Sequence, residues 1–152
     1  MTKIKAILLL LIVLGIGCVL WVRAEHKTSK DTKQMIEHIT EKDFLTKVYN
    51  YNESPNEWKF LGNKPVVIDF YATWCGPCRQ LAPIMEELSK EYPQVDFYKV
   101  DVDKEGNLAG HFGINAIPTL FFIPLKGNPS VAEGFGTKEE LKKQIDALLE
   151  GE

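Results

Sequence analysis

Cysteine is scarce in this chain, three in 152 residues. That is too few for a disulfide-stapled scaffold. His26, His38 and His111 are scattered singly, so no second Cys/His pair completes the four ligands a zinc ion takes. An excess of charge of one sign is missing too. With 18 Lys and Arg against 21 Asp and Glu, the net charge of −3 leaves no basic footprint for nucleic acid and nothing acidic enough to imply disorder. Internal repeats and low-complexity tracts are also lacking. The length gives room for one ordinary domain with a short appendage.

Two of the three cysteines sit together, and the chain is organised around them. Val66 to Ala72 is nearly all apolar, β-branched or aromatic, which predicts a buried strand; it runs into Thr73-Trp74-Cys75-Gly76-Pro77-Cys78-Arg79. After Cys78, Leu81, Ile84, Met85 and Leu88 recur at helical spacing. The cysteines therefore fall where a strand ends and a helix begins. The unpaired N–H groups and positive dipole end of a helix start favour an anion, and the thiolate is the form that attacks disulfides. Covalent haem attachment needs a His directly after the second Cys, where Arg79 stands. A purely structural bridge over so few residues would restrain little of the unfolded chain. A redox pair that closes and reopens a small disulfide is the reading that remains.

Trp74-Cys75-Gly76-Pro77-Cys78 matches the thioredoxin active-site motif letter for letter, and the chain resembles that family from roughly Ile36 to Leu149. Asp69 falls where thioredoxins carry a buried acid, Lys99 where they carry a buried lysine, Ile117-Pro118-Thr119 on their cis-proline segment, and Gly136 on a glycine near the substrate groove. The resemblance implies a thioredoxin fold: an α/β domain with a central mixed sheet flanked by helices. It also implies a protein-disulfide reductase that needs no cofactor or metal beyond the Cys75–Cys78 pair.

Met1 to Lys30 differ from everything after them. Lys3 and Lys5 precede an uncharged apolar run from Ala6 to Val22, followed by Arg23, Glu25, His26 and Lys27. A positive start and such a run predict an export signal or anchor over 1–24. The run is long for a signal-peptide core and short for a comfortable membrane span. Three fates stay open: cleavage after Ala24, retention as a single anchor, or lipidation at Cys18 in a loose lipoprotein box. Each places the domain outside the cytoplasm, in the periplasm or cell envelope. Residues 25–35 read as a polar linker, and 36–152 as the domain.

Within the domain, residues 36–39 suggest a short edge strand. Thr40 to Asp43 reads as a capping box opening a helix whose inward face is Phe44, Leu45, Val48 and Tyr51. Residues 52–64 form a long connection in which Trp58, Phe60 and Leu61 are expected to cover the core. Pro83 should bend the helix after the motif. A second strand is expected to about Asp101, a short helix from Lys104 to Phe112 ended by Gly113, a buried strand from Thr119 to Ile123, and a hairpin return over 130–133. Thr137 to Glu140 reads as a second capping box, with Leu141, Ile145, Leu148 and Leu149 on one face of the last helix.

Roles follow from these positions. Cys75, at an exposed turn, is expected to attack a substrate disulfide, and Cys78 to resolve the mixed disulfide. Asp69, desolvated in its strand, would take the Cys78 proton as general base; the alternative is a merely tolerated acid paired with Lys99. Trp74, Gly76, Pro77, Ile117, Pro118 and Gly136 would form a flat apolar docking face for disulfide-bonded proteins. With no His or charge between the cysteines, a reductant is the expected tuning. The expected partners are those substrates and a thiol electron donor, for an exported chain a membrane thiol carrier; nucleic acid is not expected, and the chain is expected to be a monomer. A disulfide oxidase or isomerase with the same site, or a tethered binding or assembly module, are the alternatives.

Overall fold

A computed structural model describes residues 36–134 and 136–150. The expectations for the leader (residues 1–24, with Cys18 and Ala24) and for the linker (25–35) lie outside the described residues. No helix among the described residues is long and apolar enough to cross a membrane.

The elements run β1 (Glu37–His38), α1 (Glu41–Lys47), β2 (Val66–Tyr71), α2 (Gly76–Glu91), β3 (Asp96–Asp101), α3 (Gly106–His111), β4 (Thr119–Ile123), β5 (Ser130–Glu133) and α4 (Lys138–Glu150). One mixed sheet has the order β1-β3-β2-β4-β5. Its β1, β3 and β2 are mutually parallel, and β4 and β5 each run antiparallel to their neighbour. The continuous apolar character of β2 has its cause here. It is the central strand with helices over both faces, so neither side chain direction meets water. On one face Val67, Phe97, Leu120 and Phe122 pack against Leu81, Met85 and Leu88 of α2 and Leu141, Ile145 and Leu148 of α4. On the other, Val66, Ile68, Phe70, Val100 and Phe121 pack against Phe44 of α1 and Leu108 of α3.

Both capping boxes form. The Asp43 amide donates to Thr40 Oγ1 at 3.2 Å while Asp43 Oδ2 accepts from the Thr40 amide at 3.0 Å. The Glu140 amide donates to Thr137 Oγ1 at 3.2 Å, and Glu140 Oε2 accepts from the Thr137 amide at 2.8 Å. Together they satisfy helix-start donors that would otherwise stay unpaired. Gly113 ends the α3 region with φ +62°, a left-handed conformation that favours glycine. Pro83 lies inside α2 and withholds the hydrogen bond that the Arg79 carbonyl would receive. On the surface, Lys138 bridges Glu87 and Glu91 at 2.8 and 2.6 Å, and Lys142 holds Glu91 at 2.8 Å, tying α2 to α4.

The connection over 52–64 departs in part from expectation. Trp58 and Phe60 do pack on the α1 side of the core, Trp58 against Tyr49 with ring centroids 4.5 Å apart. Leu61 does not: it is 44% exposed. Its amide donates to the Val48 carbonyl at 2.9 Å, so the backbone tie, not side-chain burial, fixes this residue. The Phe60 ring lies over Gly62, where an added Cβ would sit 2.4 Å from Phe60 Cζ; a side chain at 62 would expel the ring.

Phe44 is fully buried and joins α1 to the sheet and to Phe112, with ring centroids 5.2 Å apart. Phe44→Ala is expected to cost about 3–5 kcal/mol, read as a lower denaturant midpoint at unchanged m value.

Candidate active site

The backbone leaves β2 at Tyr71 and turns through Ala72 and Thr73 into α2, with Cys75 as its N-cap. The cap is a sulfur: the Cys78 amide donates to Cys75 Sγ at 3.2 Å. Cys75 and Cys78 form a disulfide, S–S 2.09 Å with Cα atoms 5.3 Å apart. The first turn of α2 carries no acidic side chain, so nothing there opposes negative charge on the sulfur. Arg79 folds back, its Nη1 donating to the Thr73 carbonyl at 3.3 Å, which adds a permanent positive charge beside the motif.

Cys75 does not stand at an exposed turn. It is 4% exposed and Cys78 3%, because Ala72, Tyr71, Val102 and Ile117 close around the bridge. Trp74, at 67%, and Pro77 are the exposed members of the motif. The Trp74 indole is pinned, with Nε1 donating to Asp103 Oδ2 at 2.9 Å, and Asp103 is fixed by its own amide donating to Asp101 Oδ1 at 3.1 Å. Gly76 and Pro77 open α2, and a Cβ at Gly76 would meet only Arg79 Nη2, at 4.0 Å. The surface beside the cysteines is thus bare backbone and ring.

The Ile117–Pro118 bond is cis. This loop approaches the disulfide from β4: Cys75 Sγ lies 3.8 Å from the Ile117 carbonyl oxygen. In the disulfide the sulfur has no proton to give, so this is a contact. The Gly134 amide donates to the Pro118 carbonyl at 2.8 Å, which ties the end of β5 to the same loop.

Asp69 is fully buried on β2, beside Lys99 on β3 and Leu120 on β4. Neither carboxylate oxygen has a hydrogen-bond partner among the described residues. Burial pushes its pKa up to about 6, against the lowering influence of Lys99. The pairing with Lys99 considered from the sequence is an adjacency without an ion pair, since no Asp69–Lys99 contact falls within 4.0 Å. The structure therefore brings Cys75, Cys78, Ile117 and Pro118 together, sets Asp69 and Lys99 side by side in the sheet, and leaves Gly136 lining a cavity with Leu120, Ala132 and Glu140. Sequence reasoning missed Asp103, Tyr71 and Val102. Val102 and Asp103 reach the site from just past β3, distant in sequence, and Tyr71 from the end of β2; nothing in their local patterns marks them.

The thioredoxin family model matches residues 35–147. The chain is 51% identical over 98 residues to the thioredoxin of Borreliella burgdorferi, covering 64% of this chain and 83% of that one. It is 48% identical over 85 residues to thioredoxin-1 of Saccharomyces cerevisiae, covering 56% and 81%. Chloroplastic thioredoxin z superposes with a TM-score of 0.60 at 25% identity, over 74% of this chain and 93% of its own. A motif at the helix start with its cysteines joined, a mixed sheet behind it, and these similarities lead to one conclusion: the chain belongs to the thioredoxin family and is a thiol–disulfide oxidoreductase of the protein-disulfide reductase type.

Proposed function

We propose that this protein reduces protein disulfides in the cell envelope, as a monomer exported or anchored by its N-terminal segment and recharged by a membrane thiol carrier. The observation that carries the chemistry is the redox pair at the cap of α2 beside the Pro118 loop. The location is supported by Lys3 and Lys5 followed by the apolar run from Ala6 to Val22. The donor follows from that location.

In the dithiol, the Cys75 thiolate attacks one sulfur of a substrate disulfide. A Cys75–substrate bond forms and the substrate's second sulfur leaves as a thiolate. The helix start stabilises the Cys75 anion, through the Cys78 amide and the absence of first-turn acids. Asp69 then takes the Cys78 proton. The Cys78 thiolate attacks Cys75 Sγ, the Cys75–Cys78 bond forms, and the substrate leaves with both sulfurs reduced. Two electrons pass from protein to substrate, and the donor returns them. A carboxyl poised near pH 6 accepts a thiol proton far better than an ordinary aspartate does. Trp74, Gly76, Pro77 and the Ile117–Pro118 backbone, with Gly136, form the docking face; mostly apolar ring and backbone, it suits flexible, varied substrates.

Reduction of insulin driven by dithiothreitol tests the activity; no turnover would leave only a binding module. The redox state of Cys75 and Cys78 in cells, trapped by acid quench and alkylation, tests the direction. Mostly reduced cysteines are expected, and mostly oxidised ones would make the protein an oxidant. Cys78→Ser is expected to accumulate thiol-labile mixed disulfides through Cys75, seen on non-reducing gels.

Asp69→Asn separates two effects. It should slow resolution while leaving the first attack near normal, as read by stopped-flow kinetics of each step. It should also change stability with pH. The native carboxyl holds its proton to about pH 6, whereas the unfolded one releases it near 3.8. Between those values the native state binds more protons, so wild-type stability falls as pH rises through the window, by about 3 kcal/mol in all, and is flat above it. The Asn variant lacks this loss. It should be more stable than wild type by about 1–3 kcal/mol above pH ~7, and equal to it below pH ~4.

A further inference from the structure

On the sheet face covered by α2 and α4, three strands set His38, Lys99 and Asp69 side by side, each the register partner of the next. Tyr71, two residues beyond Asp69 on the same face, closes the group. Its hydroxyl is 3.1 Å from His38 Nδ1, and the two rings meet edge to face at 5.6 Å. Its ring takes the Lys99 ammonium at 5.5 Å from the centroid. Lys99 is 8% exposed and Asp69 fully buried. Opposite charges in one dry layer attract strongly, and a lysine stem is flexible enough to bring its ammonium onto a carboxylate one strand away. Yet both Asp69 oxygens remain without a hydrogen-bond partner among the described residues. Something holds the ammonium elsewhere.

We propose that the Tyr71 ring, fixed in place by His38, keeps the Lys99 ammonium off the Asp69 carboxylate and so preserves Asp69 as an unpaired base. The cation–π contact offers the ammonium a competing partner, and the hydrogen bond to His38 stops the ring from turning away. Tyr71 and His38 are positioning residues: they act on Asp69 through Lys99. The groups facing this cluster are Lys99 and Asp101 from β3 and Lys104 beyond it. Burial, with Lys99 and Lys104 outweighing Asp101, holds the His38 pKa below its ordinary value. The neutral imidazole is thereby favoured, and it shares a hydrogen bond with Tyr71 without adding a second cation next to Lys99. A closed Lys99–Asp69 pair would favour the carboxylate and weaken it as a base.

The role of Asp69 as base is carried over from the proposed function. The test reads its ionisation directly, so failure of the Tyr71 effect and failure of the base role are separate outcomes. The measurement is a carbon-NMR titration of the Asp69 carboxyl in the full-length oxidised protein. Tyr71→Leu should lower the midpoint by about one pH unit or more as Lys99 closes on the carboxylate. Lys99→Met should raise it, and Tyr71→Leu combined with Lys99→Met should match Lys99→Met alone, because the effect has no other route. An unchanged or raised midpoint in Tyr71→Leu overturns the proposal, as does a lowering that survives in the double variant. If Tyr71→Leu does not fold, Tyr71→Phe and His38→Ala decide: a smaller lowering in either supports the proposal, and none in both overturns it.

Discussion

A helix start needs acceptors for its unpaired N–H groups, and here the acceptor is a sulfur. Cys75 caps α2 through its Sγ, so the group that completes the helix is also the group that reacts. Reduction changes the charge on that cap but not its place, because the turn from β2, the Cys75 amide bond to Ala72 and the Arg79 amide bond to the Cys75 carbonyl are made by the backbone. The fold can therefore cycle between disulfide and dithiol with its scaffold intact. The central sheet is the rigid support against which this small rearrangement happens.

The same sheet sets the cost of the chemistry. Burying β2 on both faces makes the core continuous, yet it also removes Asp69 from water with nothing to receive its lone pairs among the described residues. A residue chosen for stability at this position would be apolar. The acid persists at the expense of native-state stability, and a local conflict of that kind inside a well-packed strand is the expected mark of function. Around it the periphery is arranged to hold side chains in position. Asp103 fixes the exposed Trp74, while Tyr71 and His38 occupy the end of the sheet near Lys99.

Much of this was legible in the residues. The apolar run of β2, the alternation and turn signals of the later strands, the two capping boxes and the Cys-x-x-Cys at a strand–helix junction are local patterns with local causes, and the structure has them where the pattern falls. Leu61 went astray because hydrophobicity says that a side chain favours burial, not whether a connecting loop delivers it there. Cys75 went astray for a related reason. Its cover comes from Ile117 and Val102, and no sequence period links them to it.

By itself the sequence determined the class of fold, the redox pair, its place at a helix start and the buried acid behind it, since each depends on neighbours within a few residues. The tertiary structure alone decided which charges meet that acid. Asp69 and Lys99 are 30 positions apart in the numbering and side by side in the sheet, and whether they pair depends on a tyrosine ring and a histidine from a third strand. Local propensity acts along the chain and can be read there. Electrostatic partnership depends on distance in space, which only strand order and register set.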